Sequence, residues 1–188
     1  MSKIFCIGLS KTGTSSLNSA LEHLGFKAKH FPFMSYRKGN LVLNPEHVDN
    51  YDAFSDTPVA NCFKYLDKKY PNSKFIYTVR DKEAWLKSCE KHYAISPLNL
   101  SLIYKQFKWV HLQYSLYGCL NFNKEKFSGA YSRHDNNVLE YFDTSSRLLV
   151  LNICDGEGWD KLCPFLNKSI PDISFPKSNI TAAKIKYI

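Results

Sequence analysis

The sequence has no long apolar run and no cysteine pattern of the kind that builds metal sites. No stretch approaches the roughly 20 apolar residues that a membrane-spanning helix needs. The apolar segment at residues 3–7 is too short for a signal peptide, and Gly8 interrupts it. The six cysteines include no Cys-x-x-Cys pair and no His/Cys cluster with zinc spacing. We therefore predict a cytoplasmic protein with reduced core cysteines, no membrane span and no metal requirement.

Internal repeats, low-complexity segments and interdomain linkers are also lacking. The 188 residues suit one compact domain over residues 1–188, long enough to bury a core without disulfides. The formal net charge of +8 favours anionic ligands such as nucleotides. The lysines are scattered, and many lie beside Asp or Glu, which is typical of a solvated surface. We expect a nucleotide partner and no nucleic-acid binding.

Short strand and helix signals alternate along the chain. Apolar runs predict buried strands at residues 3–7, 53–55, 74–79 and 148–151. Helical spacing of apolar residues predicts helices over residues 14–24, 59–70, 82–92 (capped by Asp81), 99–117, 124–142 and 159–166. Turn-forming residues predict an irregular excursion over residues 31–50. This alternation predicts a three-layer α/β fold with a mostly parallel sheet, whose ligands bind at the carboxyl ends of the strands.

The loop after the first strand has the composition of a phosphate-binding loop. It reads Gly-Leu-Ser-Lys-Thr-Gly-Thr-Ser-Ser over residues 8–16. Glycines let the backbone approach a ligand closely, and a helix N-terminus offers free N–H groups to phosphate. Lys11 adds a positive charge, and residues 14–16 add hydroxyl donors. A helix cap alone would not need a glycine on both sides of a lysine, so we interpret the loop as a phosphate site.

The same loop departs from the nucleoside-triphosphate P-loop. That motif requires a lysine directly after its second glycine, followed by Ser or Thr. Here Gly13 is followed by Thr14, and the lysine stands at position 11. A Mg-ATP-dependent small-molecule or nucleoside kinase is therefore disfavoured, but it remains an alternative. A non-catalytic nucleotide-binding protein is another.

A second candidate phosphate ligand follows the strand at residues 74–79. Arg80 stands at the carboxyl end of this strand, and its planar guanidinium suits phosphate oxygens. Ser88 lies about two turns into the following helix and could face the same pocket. An ion pair between Arg80 and a neighbouring carboxylate, Asp81 or Glu83, explains the arginine equally well from the residues alone.

These motifs resemble those of sulfotransferases that use 3′-phosphoadenosine 5′-phosphosulfate (PAPS). Lys-Thr-Gly-Thr-Ser-Ser resembles their 5′-phosphosulfate loop, and an Arg followed eight residues later by Ser resembles their 3′-phosphate motif. Residues 147–166 and 175–179 are similar to the closing segments of a bacterial-type subfamily. The resemblance implies a P-loop-like fold, PAPS as donor and an unidentified acceptor. It assigns the 5′-phosphosulfate to Lys11, Thr12, Gly13, Thr14, Ser15 and Ser16, and the 3′-phosphate to Arg80 and Ser88.

The resemblance also implies an in-line transfer to a hydroxyl or amine, which needs a base and a group that stabilises the leaving phosphate. Lys11 would donate to the bridging oxygen. Asp56 would take the acceptor's proton, since it follows the second predicted strand and resembles the Asp-x-Pro of the bacterial-type subfamily, although many sulfotransferases carry His there. A carboxylate is an effective base near neutral pH only where burial raises its pKa.

Other residues compete for roles in this site. Asp56 could instead cap the following helix. Four histidines are rival bases: His30, His92, His111 and His134. Trp85 and Tyr131 are candidates for stacking on the adenine.

Overall fold

A computed structural model describes residues 2–93 and 107–178. Its strands are β1 (Ile4–Cys6), β2 (Ala28–His30), β3 (Met34–Arg37), β4 (Asn40–Leu43), β5 (Ala53–Ser55), β6 (Lys74–Thr78) and β7 (Leu148–Leu151). Its helices are α1 (Thr14–His23), α2 (Pro45–Asp49), α3 (Thr57–Asn61), α4 (Phe63–Lys69), α5 (Lys82–Tyr93), α6 (Phe107–Tyr117), α7 (Lys124–Phe142) and α8 (Trp159–Leu166). A short 3₁₀ turn covers Ile153–Asp155.

Five strands form one parallel sheet in the order β2-β5-β1-β6-β7. β1 is the central strand, with β5 on one side and β6 on the other. The chain builds the β5 side first and then crosses to the β6 side, so the strand order reverses around β1. Ligands of open α/β sheets bind at such a reversal, outside the carboxyl ends of the strands. The loops after β1, β5 and β6 all open there.

The two faces of the sheet bury separate cores. Along β1, Ile4 and Cys6 pack with apolar residues of α1 and α8, such as Leu17 and Leu162. The alternate residue Phe5 packs on the other face with α3, α4 and α7. This alternation follows from the two-residue period of a strand. It confirms the predicted three-layer, P-loop-like α/β fold.

The sheet has one strand more than the sequence predicted. β2 was missed because a strand of three residues is too short to show an alternating pattern. It lies at the edge of the sheet beside β5. The predicted irregular excursion over residues 31–50 was also wrong in part. It contains the antiparallel β3–β4 hairpin and helix α2, whose N-terminus is capped by the Asn44 side chain, which accepts from the N–H of Glu46 at 3.1 Å.

Helix boundaries differ at one place. The single helix predicted over residues 59–70 is two helices, α3 and α4, separated by Cys62, whose backbone is not helical (φ −125°, ψ 20°). The helices over residues 124–142 and 159–166 are confirmed. Asp81 caps α5 as expected, accepting from the N–H of Ala84 at 2.8 Å. Of the helix predicted over residues 99–117, residues 99–106 lie outside the described residues.

The six cysteines are all free thiols. The prediction that they lie in the core is wrong for Cys119, which is half-buried, and for Cys154, which is exposed. Within residues 2–93 and 107–178, no helix combines the length and apolarity needed to cross a bilayer. The same ranges hold no group of three or more His, Cys, Asp or Glu side chains able to bind a metal ion.

Candidate active site

The loop after β1 is anchored to the end of β6. The Thr12 hydroxyl donates to the carbonyl of Leu9 at 2.7 Å and lies 2.7 Å from Oγ1 of Thr78, the last residue of β6. Gly8 passes so close to the same residue that a Cβ there would lie 1.9 Å from Thr78 Oγ1. A side chain at position 8 would therefore displace the loop from β6.

Two side chains after β6 fix the middle of this loop. The indole N–H of Trp85 donates to the carbonyl of Ser10 at 2.9 Å. The Arg80 guanidinium donates to the carbonyl of Lys11 at 3.1 Å. The two segments that sequence reasoning identified as separate phosphate motifs are thus in direct contact. Donors held in place by such bonds need no rearrangement when charge develops on a ligand.

The loop backbone takes two left-handed turns. Gly13 has φ 96°, which favours glycine. Lys11 has φ 74°, a conformation that costs a non-glycine residue about 1–3 kcal/mol and is found mostly at functional sites. Its side chain is half-buried, and its charge acts on Cys89 and His92 of α5. Lys11 therefore faces the cleft between the loop and α5.

Helix α1 begins directly after the loop. Its N-cap is Gly13, and no side chain of the described residues caps it. The first-turn N–H groups, which have no partner within the helix, are the groups that bind phosphate at helix N-termini. Thr14 and Ser16 are buried, with the Ser16 hydroxyl accepting from the N–H of Ser178 at 3.0 Å. Ser15 lies with its hydroxyl 3.2 Å from Nε2 of His30.

Arg80 is half-buried at the end of β6. It pairs with no carboxylate among the described residues, and Glu83 instead lies 3.5 Å from Lys124. The Tyr131 hydroxyl holds the Arg80 backbone, accepting from its N–H at 3.3 Å and donating to its carbonyl at 2.6 Å. The structure therefore does not support the interpretation of Arg80 as half of an ion pair with Asp81 or Glu83. Ser88 is half-buried on α5, about two turns further along.

Asp56 follows β5, directly across from the loop, and is 8% exposed. Its Oδ1 accepts from the Ser10 hydroxyl, from the Thr57 N–H at 2.8 Å and from the Thr57 hydroxyl at 3.1 Å. Its Oδ2 lies 3.2 Å from Nε2 of His30. Asp56 is thus both the N-cap of α3 and a part of the site. Its backbone (φ 85°, ψ 178°) lies in a region that is populated almost only by glycine, a strain of about 1–3 kcal/mol.

His30 belongs to the same cluster. Its Nδ1 lies 3.0 Å from the hydroxyl of Ser55, its neighbour across β2 and β5. Its Nε2 lies between Asp56 and Ser15. From the sequence His30 was only one of four rival histidines. Recognition of Ala28–His30 as a strand would have placed its last residue at the ligand-binding edge.

The other three histidines have different surroundings. His134 is buried and donates from Nε2 to the carbonyl of Ile7 at 2.7 Å, and burial lowers its pKa, so it is a neutral structural residue. His111 packs edge-on to the Tyr36 ring. His92 has a lowered pKa, chiefly through burial and then through the charge of Lys11, with Asp56 opposing the shift. Only His30 lies within hydrogen-bond distance of Asp56 among the described histidines.

The expectation that Trp85 stacks on adenine is wrong. Trp85 is 0% exposed, with its ring packed against Tyr117, Phe127 and Tyr131. Its role is to hold the loop through its N–H. Tyr131 is also buried, and burial raises the pKa of its hydroxyl, which therefore remains a donor to the Arg80 carbonyl. Sequence reasoning missed both supporting roles, because neither leaves a local pattern.

Comparison with known proteins agrees with this geometry. A family model described as the sulfotransferase domain matches residues 3–184, a range that includes the loop after β1, Asp56 and the Arg80 segment. Ava biosynthesis cluster protein M of Aspergillus versicolor is 27% identical over 213 residues, covering 93% of this chain and 79% of that protein. The family match covers nearly the whole chain, and the chain therefore belongs to the sulfotransferase domain family.

Proposed function

We propose that this protein transfers a sulfuryl group from PAPS to a hydroxyl or amine of an acceptor by in-line displacement. The proposal is carried by the contact between Arg80 and the carbonyl of Lys11, which joins the two phosphate motifs. A donor with phosphates on both its 5′ and 3′ positions needs two anion sites close together.

The donor would lie along the carboxyl edge of β1 and β6. Lys11 and the loop of residues 12–16 would bind the 5′-phosphosulfate, because a helix N-terminus and a lysine together form a strong anion site. Arg80 and Ser88 would bind the 3′-phosphate, with the guanidinium offering two parallel hydrogen bonds. The hydroxyl and the backbone N–H of Thr12 both donate to the carbonyl of Leu9, at 2.7 Å and 3.4 Å, so this residue shapes the loop.

The transfer step would use charges on both sides of the sulfur. Lys11 donates to the bridging oxygen and stabilises the charge that develops on the leaving bisphosphate. Asp56, across from the loop, draws the proton from the attacking acceptor. The Asp56 carboxylate is buried at this position. No step requires a metal ion.

Calorimetric titration tests the donor site. Wild type, Arg80→Ala and Lys87→Ala are titrated with 3′-phosphoadenosine 5′-phosphate, AMP and Mg-ATP. Wild type is expected to prefer the bisphosphate, and Arg80→Ala to bind it about 10- to 100-fold more weakly, because a hydrogen bond to a charged group contributes about 1.5–3 kcal/mol. AMP affinity is expected to fall less, since AMP loses only the support that Arg80 gives to the carbonyl of Lys11. Lys87 is exposed on α5, so Lys87→Ala removes the same charge from outside the site.

The alternatives predict different results. A kinase would prefer Mg-ATP, and equal affinity for all three nucleotides would remove the reason for assigning a 3′-phosphate site. A non-catalytic nucleotide-binding protein would bind the bisphosphate but would not release it from PAPS with any acceptor offered.

A further inference from the structure

We infer that Asp56 and His30 act as one base in the proposed transfer, and that the acceptor's proton comes to rest on Nε2 of His30. The inference rests on the proposed function and specifies which atom receives the proton. The donor and acceptor roles of Asn18 and Ser55 determine which nitrogen of the His30 ring carries the hydrogen.

The orientation of the Asn18 side-chain amide on α1 is fixed by Glu22. Its Nδ2 donates to Oε1 of Glu22 at 3.1 Å, one helical turn further along. A carboxylate can only accept, so the NH₂ group of Asn18 must face Glu22 and its carbonyl oxygen must face the other way. That oxygen lies 3.1 Å from the hydroxyl of Ser55, which donates to it.

The position of the hydrogen on the His30 ring then follows from the hydroxyl of Ser55. A serine hydroxyl has one hydrogen. Because Ser55 donates it to Asn18, the Ser55 oxygen can only accept from Nδ1 of His30, 3.0 Å away. Ser55 is 0% exposed, so water does not compete for its hydrogen. The neutral imidazole therefore carries its hydrogen on Nδ1, and the lone pair of Nε2 faces the Ser15 hydroxyl and Asp56.

This lone pair lies beside the loop to which the proposed function assigns the phosphosulfate. Nε2 lies 3.2 Å from Oδ2 of Asp56 and 3.2 Å from the hydroxyl of Ser15 in the phosphosulfate loop. Oδ1 of Asp56 is already occupied by Ser10 and Thr57, whereas the described residues give Oδ2 no partner but His30. Oδ2 and Nε2 are two hydrogen-bond acceptors facing each other, and a hydrogen from the substrate's O–H or N–H group satisfies both.

The step balances with these groups alone. The acceptor oxygen forms a bond to sulfur, the bond from sulfur to the bridging oxygen breaks, and its electron pair leaves with the bisphosphate. The acceptor's proton moves to Nε2. The ring then becomes an imidazolium beside the Asp56 carboxylate. This arrangement gives the strained Asp56 two tasks, orienting the ring and stabilising its charge.

Several other charged or titratable groups face this pair. Lys11 lies on the loop side, and His92 and Tyr93 of α5 both respond to the charge of Asp56. A pH profile of the wild type alone would combine all of them. The test therefore measures the hydrogen on the His30 ring directly and uses the pH profile only as a difference between variants.

Nuclear magnetic resonance of protein labelled with nitrogen-15 histidine gives the position of that hydrogen. The His30 signals are assigned by their loss in His30→Gln. At about pH 8.5, where an ordinary imidazole is neutral, we expect the hydrogen on Nδ1. A hydrogen on Nε2, or on both nitrogens, would overturn the inference. Asn18→Ala frees the Ser55 hydroxyl to donate to Nδ1 and is expected to shift the ring toward the Nε2–H form.

Turnover supplies the second measurement. Release of 3′-phosphoadenosine 5′-phosphate from PAPS is followed with a panel of small phenols and alcohols as acceptors. We expect His30→Gln to lower kcat by about 10²–10⁴-fold, the usual contribution of a general base, and to leave the calorimetric affinity for the bisphosphate unchanged. The pH profiles of wild type and His30→Gln are then compared, and the difference between them is expected to be the part that the ring contributes.

The two proposals can fail separately. If the wild type does not bind the bisphosphate, the proposed function is wrong, whatever the position of the ring hydrogen. If the wild type binds it and releases it from PAPS, but His30→Gln turns over at the wild-type rate, only the shared role of His30 is wrong.

Discussion

The segments that follow β1 and β2 reach the same edge of the sheet but are built in opposite ways. The loop after β1 is short, and its carbonyls are held by Thr12, Arg80 and Trp85. The segment after β2 extends through a hairpin that buries Leu43 on one side and exposes Phe33 (58%) and Tyr36 (40%) on the other. The loop after β1 therefore has a backbone held by hydrogen bonds. The segment after β2 instead presents exposed side chains to solvent.

Under the proposed function, this difference would reflect what each region has to recognise. Phosphate groups are the same in every donor molecule, and they bind best to backbone N–H groups held at fixed positions. An acceptor presents its own shape, which exposed side chains on loops can match and which can vary without changes in the fold. We therefore expect substitutions near β1 and β6 to affect donor binding strongly, and substitutions on the exposed face of the hairpin to leave it unchanged.

The largest effect is expected where the loop passes closest to β6. In Gly8→Ala the new Cβ would lie 1.9 Å from Oγ1 and 2.6 Å from the backbone oxygen of Thr78. The backbone oxygen cannot move without disturbing β6, so the loop must shift. We expect a loss of about 1–3 kcal/mol in the free energy of unfolding and a loss of detectable bisphosphate binding. Denaturant unfolding and calorimetry measure the two.

Gly129→Ala is the matched control for this substitution. Gly129 lies within α7, and a Cβ there would contact only the end of the flexible Arg133 side chain, at 3.2 Å. Alanine is favoured over glycine inside a helix by about 0.5–1 kcal/mol. Gly129→Ala should therefore be as stable as wild type or more so, with unchanged bisphosphate affinity. Normal binding by Gly8→Ala would show that the close approach to Thr78 is not needed for the donor site.

The contrast between the two regions explains what the sequence could and could not predict. The loop after β1 and the Arg80 segment left readable motifs because left-handed turns and phosphate contacts admit few residue types. Strands β1, β5 and β6 were readable because their residues are largely buried and apolar. β7 was readable as an apolar run, but the prediction that it is buried is wrong, since it lies at the sheet edge with Val150 40% exposed. β2 was not readable, because three half-buried residues at the other edge show no clear period.

The contacts between side chains that hold the candidate site together could not be predicted from the sequence, for another reason. The contact of Trp85 with Ser10, and that of His30 with Asp56, join residues far apart in the sequence. The sequence could only place each partner on its own element. Asp56 could be proposed because it follows a predicted strand, whereas His30 is the last residue of a strand that was missed.

A smaller effect is expected from His134, which supports the donor loop from behind. Its bond to the carbonyl of Ile7 holds the end of β1 just before Gly8. Burial lowers the pKa of His134 below its ordinary value of 6.5. The folded state thus binds a proton less readily than the unfolded state. The stability from the neutral ring is fully present above the unfolded-state pKa and is lost as the pH falls toward the folded-state pKa.

Thermal unfolding of wild type and His134→Gln between about pH 7.5 and pH 5.5 tests this sign. The wild type should be the more stable of the two at the upper pH, and its advantage should shrink as the pH is lowered. An advantage that stays constant would mean that the ring is not held neutral by its burial, and that its contribution is packing alone.

The smallest effect is expected on the exposed face of the hairpin, in Tyr36→Ala. The Tyr36 ring lies near Phe107 and His111 of α6, with centroids 6.1 Å and 5.5 Å away, but it is 40% exposed. Substitutions of surface residues usually change stability by less than about 0.5 kcal/mol. Bisphosphate affinity should stay at the wild-type value, because no contact of Tyr36 reaches the loop after β1 or Arg80 among the described residues.

Leu43→Ala gives the matched measurement on the buried side of the same hairpin. Leu43 is 2% exposed and packs with Phe54 of β5, so its truncation should lower the free energy of unfolding by about 2–5 kcal/mol. If Tyr36→Ala weakens the bisphosphate while Leu43→Ala only destabilises the fold, the hairpin surface contributes to the donor site. The separation between a fixed donor site and a variable acceptor surface would then be wrong, because the exposed aromatic residues of the hairpin would contribute to nucleotide binding.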